Sequence, residues 1–138
     1  MNTHSSFPSD FFLFSSALLC VLNTDGTILQ LNPAWEEQLN VISTDLENSR
    51  FLAWVHPDDI ASSQYYLTQL KQGITNVTFA NRWRDCAGYY HWLNWEISAV
   101  PHQPKCYAVA TDITAQKHAE KVLLDTEERF ELAVKGSN

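Results

Sequence analysis

Residues 77–99 carry the pattern that most restricts what this chain can fold into. Val77, Phe79, Asn81 and Trp83 alternate with Thr78, Ala80, Arg82 and Arg84. After Asp85-Cys86-Ala87-Gly88, Leu93, Trp95, Ile97 and Ala99 alternate with Asn94, Glu96 and Ser98. Successive side chains of a strand point to opposite faces, so period two over this length predicts two antiparallel strands with one apolar face. That face needs a cover, and the rest of the chain has to supply it.

The segments on either side provide more sheet and the cover. Leu18–Asn23 and Ile28–Asn32 read as strands joined by Thr24-Asp25-Gly26-Thr27, because Asp-Gly supplies the positive φ of a tight turn. Lys105–Thr111 reads as a fifth strand after the loop Pro101–Pro104. Between strands two and three, Asn32-Pro33 predicts a helix start with Asn as cap and Pro at the first position, running through Ala34, Trp35 and Leu39. Short helical turns follow over residues 43–55, with Phe51, Leu52, Trp54 and Val55 facing inward. His56-Pro57-Asp58-Asp59 opens a helix to about Gln72, ended by Gly73, with Ile60, Tyr66, Leu67 and Leu70 inward and Asp58 and Asp59 as first-turn acids. Ser9-Asp10 can cap a short helix through Phe11–Ser16, and residues 1–9 are expected to be flexible. Two strands, helices, three strands and a final helix make an α+β chain with an antiparallel sheet.

Composition narrows the role. Apolar residues are 45% and aromatic residues 12%, enough for a globular core. The net charge of -7 repels phosphate backbones and anionic lipid, so neither nucleic acid nor a membrane surface is an expected partner. Cys20, Cys86 and Cys106 have no metal-type spacing and read as reduced thiols. The apolar run Phe11–Leu22 is too short to span a bilayer, and no Lys or Arg precedes Arg50 as a signal peptide requires, so a cytoplasmic location is expected. Among His4, His56, His91, His102 and His118 none sits in a nucleophile or triad pattern, and four scattered glycines form no phosphate loop. Catalysis by this segment is not expected.

Strand parity defines a candidate pocket lining: Val77, Phe79, Asn81, Trp83, Leu93, Trp95, Ile97, Ala108 and Ala110. It is apolar and aromatic, with Asn81 its main polar group. Either the large rings fill the interior, or small Ala108 and Ala110 leave room opposite Trp95 for a flat apolar ligand. A buried Asn needs a partner, which backbone, water or ligand can supply. At the other end of the chain, Asp112-Ile113-Thr114 marks an exit from the sheet. From Thr114 a helix is expected to run to about Val134, with Gln116, Ala119, Leu123, Thr126, Phe130 and Ala133 as a weak heptad seam among charged neighbours.

The order and spacing of Asp25-Gly26, Asn32-Pro33-Ala34-Trp35, His56-Pro57-Asp58-Asp59, Arg82-Trp83-Arg84-Asp85, Trp92-Leu93-Asn94-Trp95 and Asp112-Ile113-Thr114 resemble the PAS sensory domain over about residues 10–120. The resemblance implies a five-stranded antiparallel sheet in order 2-1-5-4-3 with helices over one face, an N-terminal cap helix and a C-terminal signalling helix. It implies a sensory domain over residues 10–114 and a signalling helix over 115–138. Its role would be bacterial signal transduction, as a homodimer through its terminal helices, regulating an output domain that is most often a histidine kinase in a phosphorelay. A ligand-free dimerisation module of a diguanylate cyclase or phosphodiesterase is the alternative. Residues 126–134 resemble the opening helix of a further PAS module.

The same resemblance tests cofactors. Asn48-Ser49-Arg50-Phe51-Leu52 is similar to the flavin-binding subfamily's Asn-Cys-Arg-Phe-Leu, but Ser49 stands where the reactive cysteine would be. Asn81 matches one flavin contact, while Leu93 and Ala110 replace two others. Haem-binding members carry a histidine on the helix here spanning Ile60–Gln72, which has none; His56 reads as a turn residue. Neither flavin nor haem is expected. The family's Asp-Gly turn is two residues longer here, placing Cys86 at its tip. His118 lacks the flanking pattern of a phosphoacceptor and reads as a solvated helix residue.

Overall fold

The computed structural model describes the backbone of residues 9–136 and the side chains of residues 10–129. The expected flexible N-terminus therefore lies outside the described residues, apart from Ser9. Five strands, β1 (Leu18–Asn23), β2 (Ile28–Leu31), β3 (Asn76–Arg84), β4 (Tyr90–Ala99) and β5 (Lys105–Asp112), form one antiparallel sheet in the order β2-β1-β5-β4-β3. This is the α+β arrangement and strand order that the resemblance implies.

Local chemistry fixes the turns. Gly26 takes φ 94, the Asn23 amide donates to the Thr27 carbonyl at 2.8 Å, and Asp25 Oδ1 accepts from the Thr27 amide at 2.9 Å. Only glycine adopts that φ at no steric cost, so the β1–β2 register rests on this residue. The β3–β4 turn is held by Asp85, whose Oδ1 accepts from the amides of Ala87 and Tyr89, each at 2.9 Å. Cys86 is exposed in that turn, while Cys20 and Cys106 are buried and unpaired in β1 and β5. Burial pushes the Cys106 thiol up to about 11 and the Cys20 thiol higher still, which keeps both protonated and inert.

The covering layer consists of α2 (Ala34–Leu39), α3 (Ser43–Leu46), 3₁₀ turns at Phe51–Trp54 and Pro57–Asp59, and the helix α4 (Ile60–Lys71), with a short α1 (Ser9–Phe14) ahead of β1. The inner face of the sheet and these elements share the main core. A smaller cluster on the outer face joins Phe12 of α1 to Leu19 and Val21. No described helix is long and apolar enough to cross a membrane.

Five sequence readings need correction. Asn32 does not cap α2, which makes no side-chain cap bond; Asn32 is fully buried and its amide spans to β1 instead. Its Oδ1 accepts from the Leu19 amide at 3.0 Å and its Nδ2 donates to the Ala17 carbonyl at 2.9 Å. The approach of the chain to β1, invisible in a local reading, outcompetes the cap. Asp59 is not merely a first-turn acid: it grips Arg82 of β3 through Oδ1–Nη2 and Oδ2–Nε, both 2.9 Å, and its Oδ2 also accepts from the Arg82 amide at 2.8 Å. On α4 the inward face is Ser63, Leu67 and Leu70, with Tyr66 half-buried and Ile60 38% exposed at the helix start, before the helix meets the sheet. In the turns before it, Phe51 and Val55 are buried but Leu52 and Trp54 only half-buried. Helix α1 begins at Ser9 and ends at Phe14, so Ser9-Asp10 belongs to its first turn.

Candidate functional site

The candidate lining residues all lie on the inner sheet face and are buried: Val77, Phe79, Asn81 and Trp83 on β3, Leu93, Trp95 and Ile97 on β4, Ala108 and Ala110 on β5. Pairing sets Asn81 beside Leu93, Phe79 beside Trp95, and Trp95 in turn beside Ala110. The cover delivers two more rings. Trp35 of α2 stacks on Trp95 with centroids 5.7 Å apart, and Phe51 meets Trp83 and Trp95 edge-on at 4.9 and 4.8 Å. Trp83 and Trp95 are themselves 5.2 Å apart, and Tyr66 of α4 stacks on Phe79 at 4.8 Å. These separations are those of aromatic contact, so four rings occupy the middle of the interior.

The polar account of this interior is nearly closed. Asn81 Oδ1 accepts from the Trp95 indole at 2.9 Å, and Asn81 Nδ2 donates to Ser63 Oγ of α4 at 3.1 Å. Side chains, not backbone, satisfy the buried amide, and Ser63 is the partner that sequence reading missed. Its helical spacing from Leu67 and Leu70 was the available signal. Trp83 Nε1 is the buried side-chain atom with no hydrogen-bond partner among the described residues.

The Ser49 region is built as structure. Ser49 Oγ donates to the Leu46 carbonyl and accepts from the Trp54 indole at 2.9 Å. Arg50 Nη2 donates to the Asp25 carbonyl at 2.8 Å. His56 Nδ1 accepts from the Asp58 amide at 3.0 Å and its ring lies 4.7 Å from Tyr90, a turn-capping arrangement. Among the described residues no cluster of three or more His, Cys, Asp or Glu side chains could hold a metal ion.

The exit from the sheet is organised by hydrogen bonds. Asp112 Oδ1 accepts from the Thr114 amide at 2.9 Å and from the Thr114 hydroxyl at 2.6 Å. Thr114 Oγ1 accepts in turn from the Trp92 amide of β4 at 2.9 Å, and the Ile113 amide donates to the Trp92 carbonyl at 2.8 Å. The helix α5 (Thr114–Gly136) is thus capped by the end of β5 and stitched to β4. Lys117 Nζ lies 5.1 Å from the centre of the Trp92 ring, and the Arg82 guanidinium lies 5.0 Å from the same ring. Beyond that turn α5 leaves the body: Ala119 is exposed, and Val122, Leu123 and Leu124 are 53%, 59% and 60% exposed. Asp112, Ile113 and Thr114 are brought together at one point. The side chain of Phe130, the other expected seam residue, lies outside the described residues.

One further connection escaped the sequence. Asp85 is 5% exposed, and its Oδ2 lies 2.9 Å from Nε2 of His91. Burial favours the protonated acid, but the bonds from His91, Tyr89 and Ala87 outweigh it and hold the Asp85 carboxyl below its ordinary range. His91 Nδ1 lies 3.8 Å from Oδ2 of Asp112. Residues 85, 91 and 112 meet only because the order β5-β4-β3 puts the β3–β4 turn next to the end of β5.

Comparison with known proteins agrees with this architecture. A family profile described as PAS fold matches residues 14–118. A search of curated proteins finds no match. Among solved structures, a sensory box histidine kinase/response regulator from Burkholderia thailandensis E264 is 19% identical, with a TM-score of 0.69 over 85% of this chain and 92% of that one. A domain of a sensory box sensor histidine kinase/response regulator from Geobacter sulfurreducens is 13% identical, with a TM-score of 0.66 over 75% and 90%. The PAS domain of the quorum-sensing receptor RpfR from Cronobacter turicensis, in complex with C12:0, is 16% identical, with a TM-score of 0.62 over 72% and 96%. At these identities the likeness concerns the fold.

Proposed function

This chain belongs to the PAS family, and from that premise we propose that residues 10–114 act as a sensory relay whose exit junction drives α5 and an output domain beyond it. The observation that carries the reading is the double stitch at Thr114: one threonine is held by Asp112 of β5 and itself holds the Trp92 amide of β4. A shift between the two central strands therefore moves the helix start directly. A histidine kinase is the output we favour, because two of the solved relatives carry that name. In this reading residues 115–138 are the linker helix, paired with a second copy along Ala119, Leu123 and Phe130 and leading toward a further PAS module.

The test joins the chain, in helical register, to the catalytic core of a histidine kinase. Asp112→Ala is expected to change autophosphorylation by roughly fivefold or more, the lower bound of ordinary allosteric coupling. Kinase activity identical to that of the parent chimera would remove the junction from the mechanism.

A second reading concerns input. Among the described residues Trp83 Nε1 is the buried side-chain nitrogen without a hydrogen-bond partner, which suits a small apolar molecule carrying one acceptor. Native mass spectrometry of freshly purified protein checks it: a co-purified mass lost on Trp83→Phe supports a ligand, and a bare chain mass supports a ligand-free module.

A further inference from the structure

His91 is bracketed by two carboxylates from different parts of the chain. Its Nε2 faces Asp85 Oδ2 at 2.9 Å and its Nδ1 faces Asp112 Oδ2 at 3.8 Å. An ionised carboxylate can only accept, so the shorter bond assigns the proton of a neutral imidazole to Nε2. Nδ1 then turns a lone pair toward Asp112, an unfavourable contact. A second proton on Nδ1 converts that contact into an attraction between opposite charges.

The two carboxylates are held unequally. Asp85 is pinned by the Ala87 and Tyr89 amides and is nearly buried. Asp112 is the exposed end of β5, and its other oxygen caps Thr114. A pull on Asp112 is therefore felt at the start of α5. The His91 ring itself is 24% exposed, so it exchanges protons with water. Other charged groups nearby are Arg82 and Lys117, which lie over Trp92, and adjacent strand residues point to opposite faces. His118 lines the same shallow hollow as Asp112 and Thr114 and has to be controlled for.

We propose that His91 is a proton-operated latch: doubly protonated, it draws Asp112 toward the β3–β4 turn and fixes the start of α5; neutral, it lets that contact go. Histidine is the side chain whose unperturbed charge change falls between about pH 5 and 8, and that is the range in which the device is tested. The relay reading supplies only its consequence for output; the latch is measured in the isolated chain, so either can fail without the other.

The test is a pH titration by NMR of the 138-residue chain, following the His91 ring nitrogens and the Thr114 and Lys117 amides from about pH 8 to about pH 5. Both amides are expected to move with the midpoint of the His91 ring, and to lose that step in His91→Gln while keeping it in His118→Gln. Amides that stay still while the ring titrates, or that keep the step in His91→Gln, overturn the proposal. Should His91→Gln fail to fold, Asp112→Asn serves: it keeps an oxygen for Thr114 but removes the charge, so the His91 midpoint is expected to fall. An unchanged midpoint overturns the latch.

Discussion

The interior behind the sheet and the junction at its end are built on opposite plans. The interior is held by area: Trp35, Phe51, Trp83 and Trp95 press on one another, with a polar chain through Ser63, Asn81 and Trp95 among them. The junction is held by direction: a few exposed or half-buried hydrogen bonds among Asp112, Thr114 and Trp92. Packed area resists small displacements in every direction and is insensitive to salt or pH. A few polar bonds can be made or broken one at a time, at an energy a ligand, a proton or a partner can supply. The difference explains how one small sheet can be rigid where it must keep its shape and adjustable where it hands a change on.

Four experiments press on that contrast, in descending order of expected effect. Trp95→Ala empties the centre of the ring cluster and strands Asn81, and about 3–5 kcal/mol of stability is expected to go, as for other large-to-small core changes; urea unfolding measures it. A loss below about 1 kcal/mol would mean that the interior is not packed as described.

Asp59→Asn comes next. It breaks the charged two-oxygen pairing with Arg82 that ties the turn before α4 to β3, at a cost of about 2 kcal/mol near neutral pH. The Arg82 side-chain bonds hold the Asp59 carboxyl below its ordinary range. Its contribution is therefore full above the unfolded value and disappears as pH falls through the lower folded value. Unfolding of parent and variant should consequently converge in acid, and a gap that persists there would contradict the assignment.

Thr114→Val should cost about 1 kcal/mol or less, the size of a lost cap, while altering output in the chimera as strongly as Asp112→Ala. A fold effect as large as that of Trp95→Ala would erase the contrast between the two regions. Smallest of all, Leu123→Ala is expected to leave unfolding within about 0.5 kcal/mol of the parent, because the side chain is 59% exposed. Sedimentation of the two chains then reads its real role. Weaker self-association supports the seam, and identical association constants remove Leu123 from it.

Much of this architecture was legible in advance. Strand β1 was placed at its observed limits and β3 and β4 by their alternation, because period two survives in the letters wherever one face is buried. The Asp25-Gly26 turn was legible for the same local reason. Polar side chains were read less well. Asn32 looked like a cap and Asp59 like a first-turn acid, since each has a local use typical of its type. Asn32 instead reaches Leu19 and Ala17, and Asp59, while still in the first turn, also reaches Arg82; such tertiary bonds leave no local signal. Parity sufficed to put the nine candidate residues of β3, β4 and β5 on the buried inner face, and Asp112-Ile113-Thr114 could be named as the point where the chain leaves the sheet. Ser63 as the partner of Asn81, and Trp35 and Phe51 as neighbours of Trp95, could not.

The sequence by itself determined the strands, their turns, which side of each strand is apolar, and the point where the chain leaves the sheet, because these depend on the periodicity of a few adjacent residues. Only the tertiary structure decided that Asn81 is answered by Ser63 and Trp95, that Asp59 clasps Arg82, and that His91 stands between Asp85 and Asp112. The cover packs Ser63 and Asp59 against β3, and the order β2-β1-β5-β4-β3 sets Asp112 of the last strand beside β4; neighbours made in these ways leave no periodic trace along the chain.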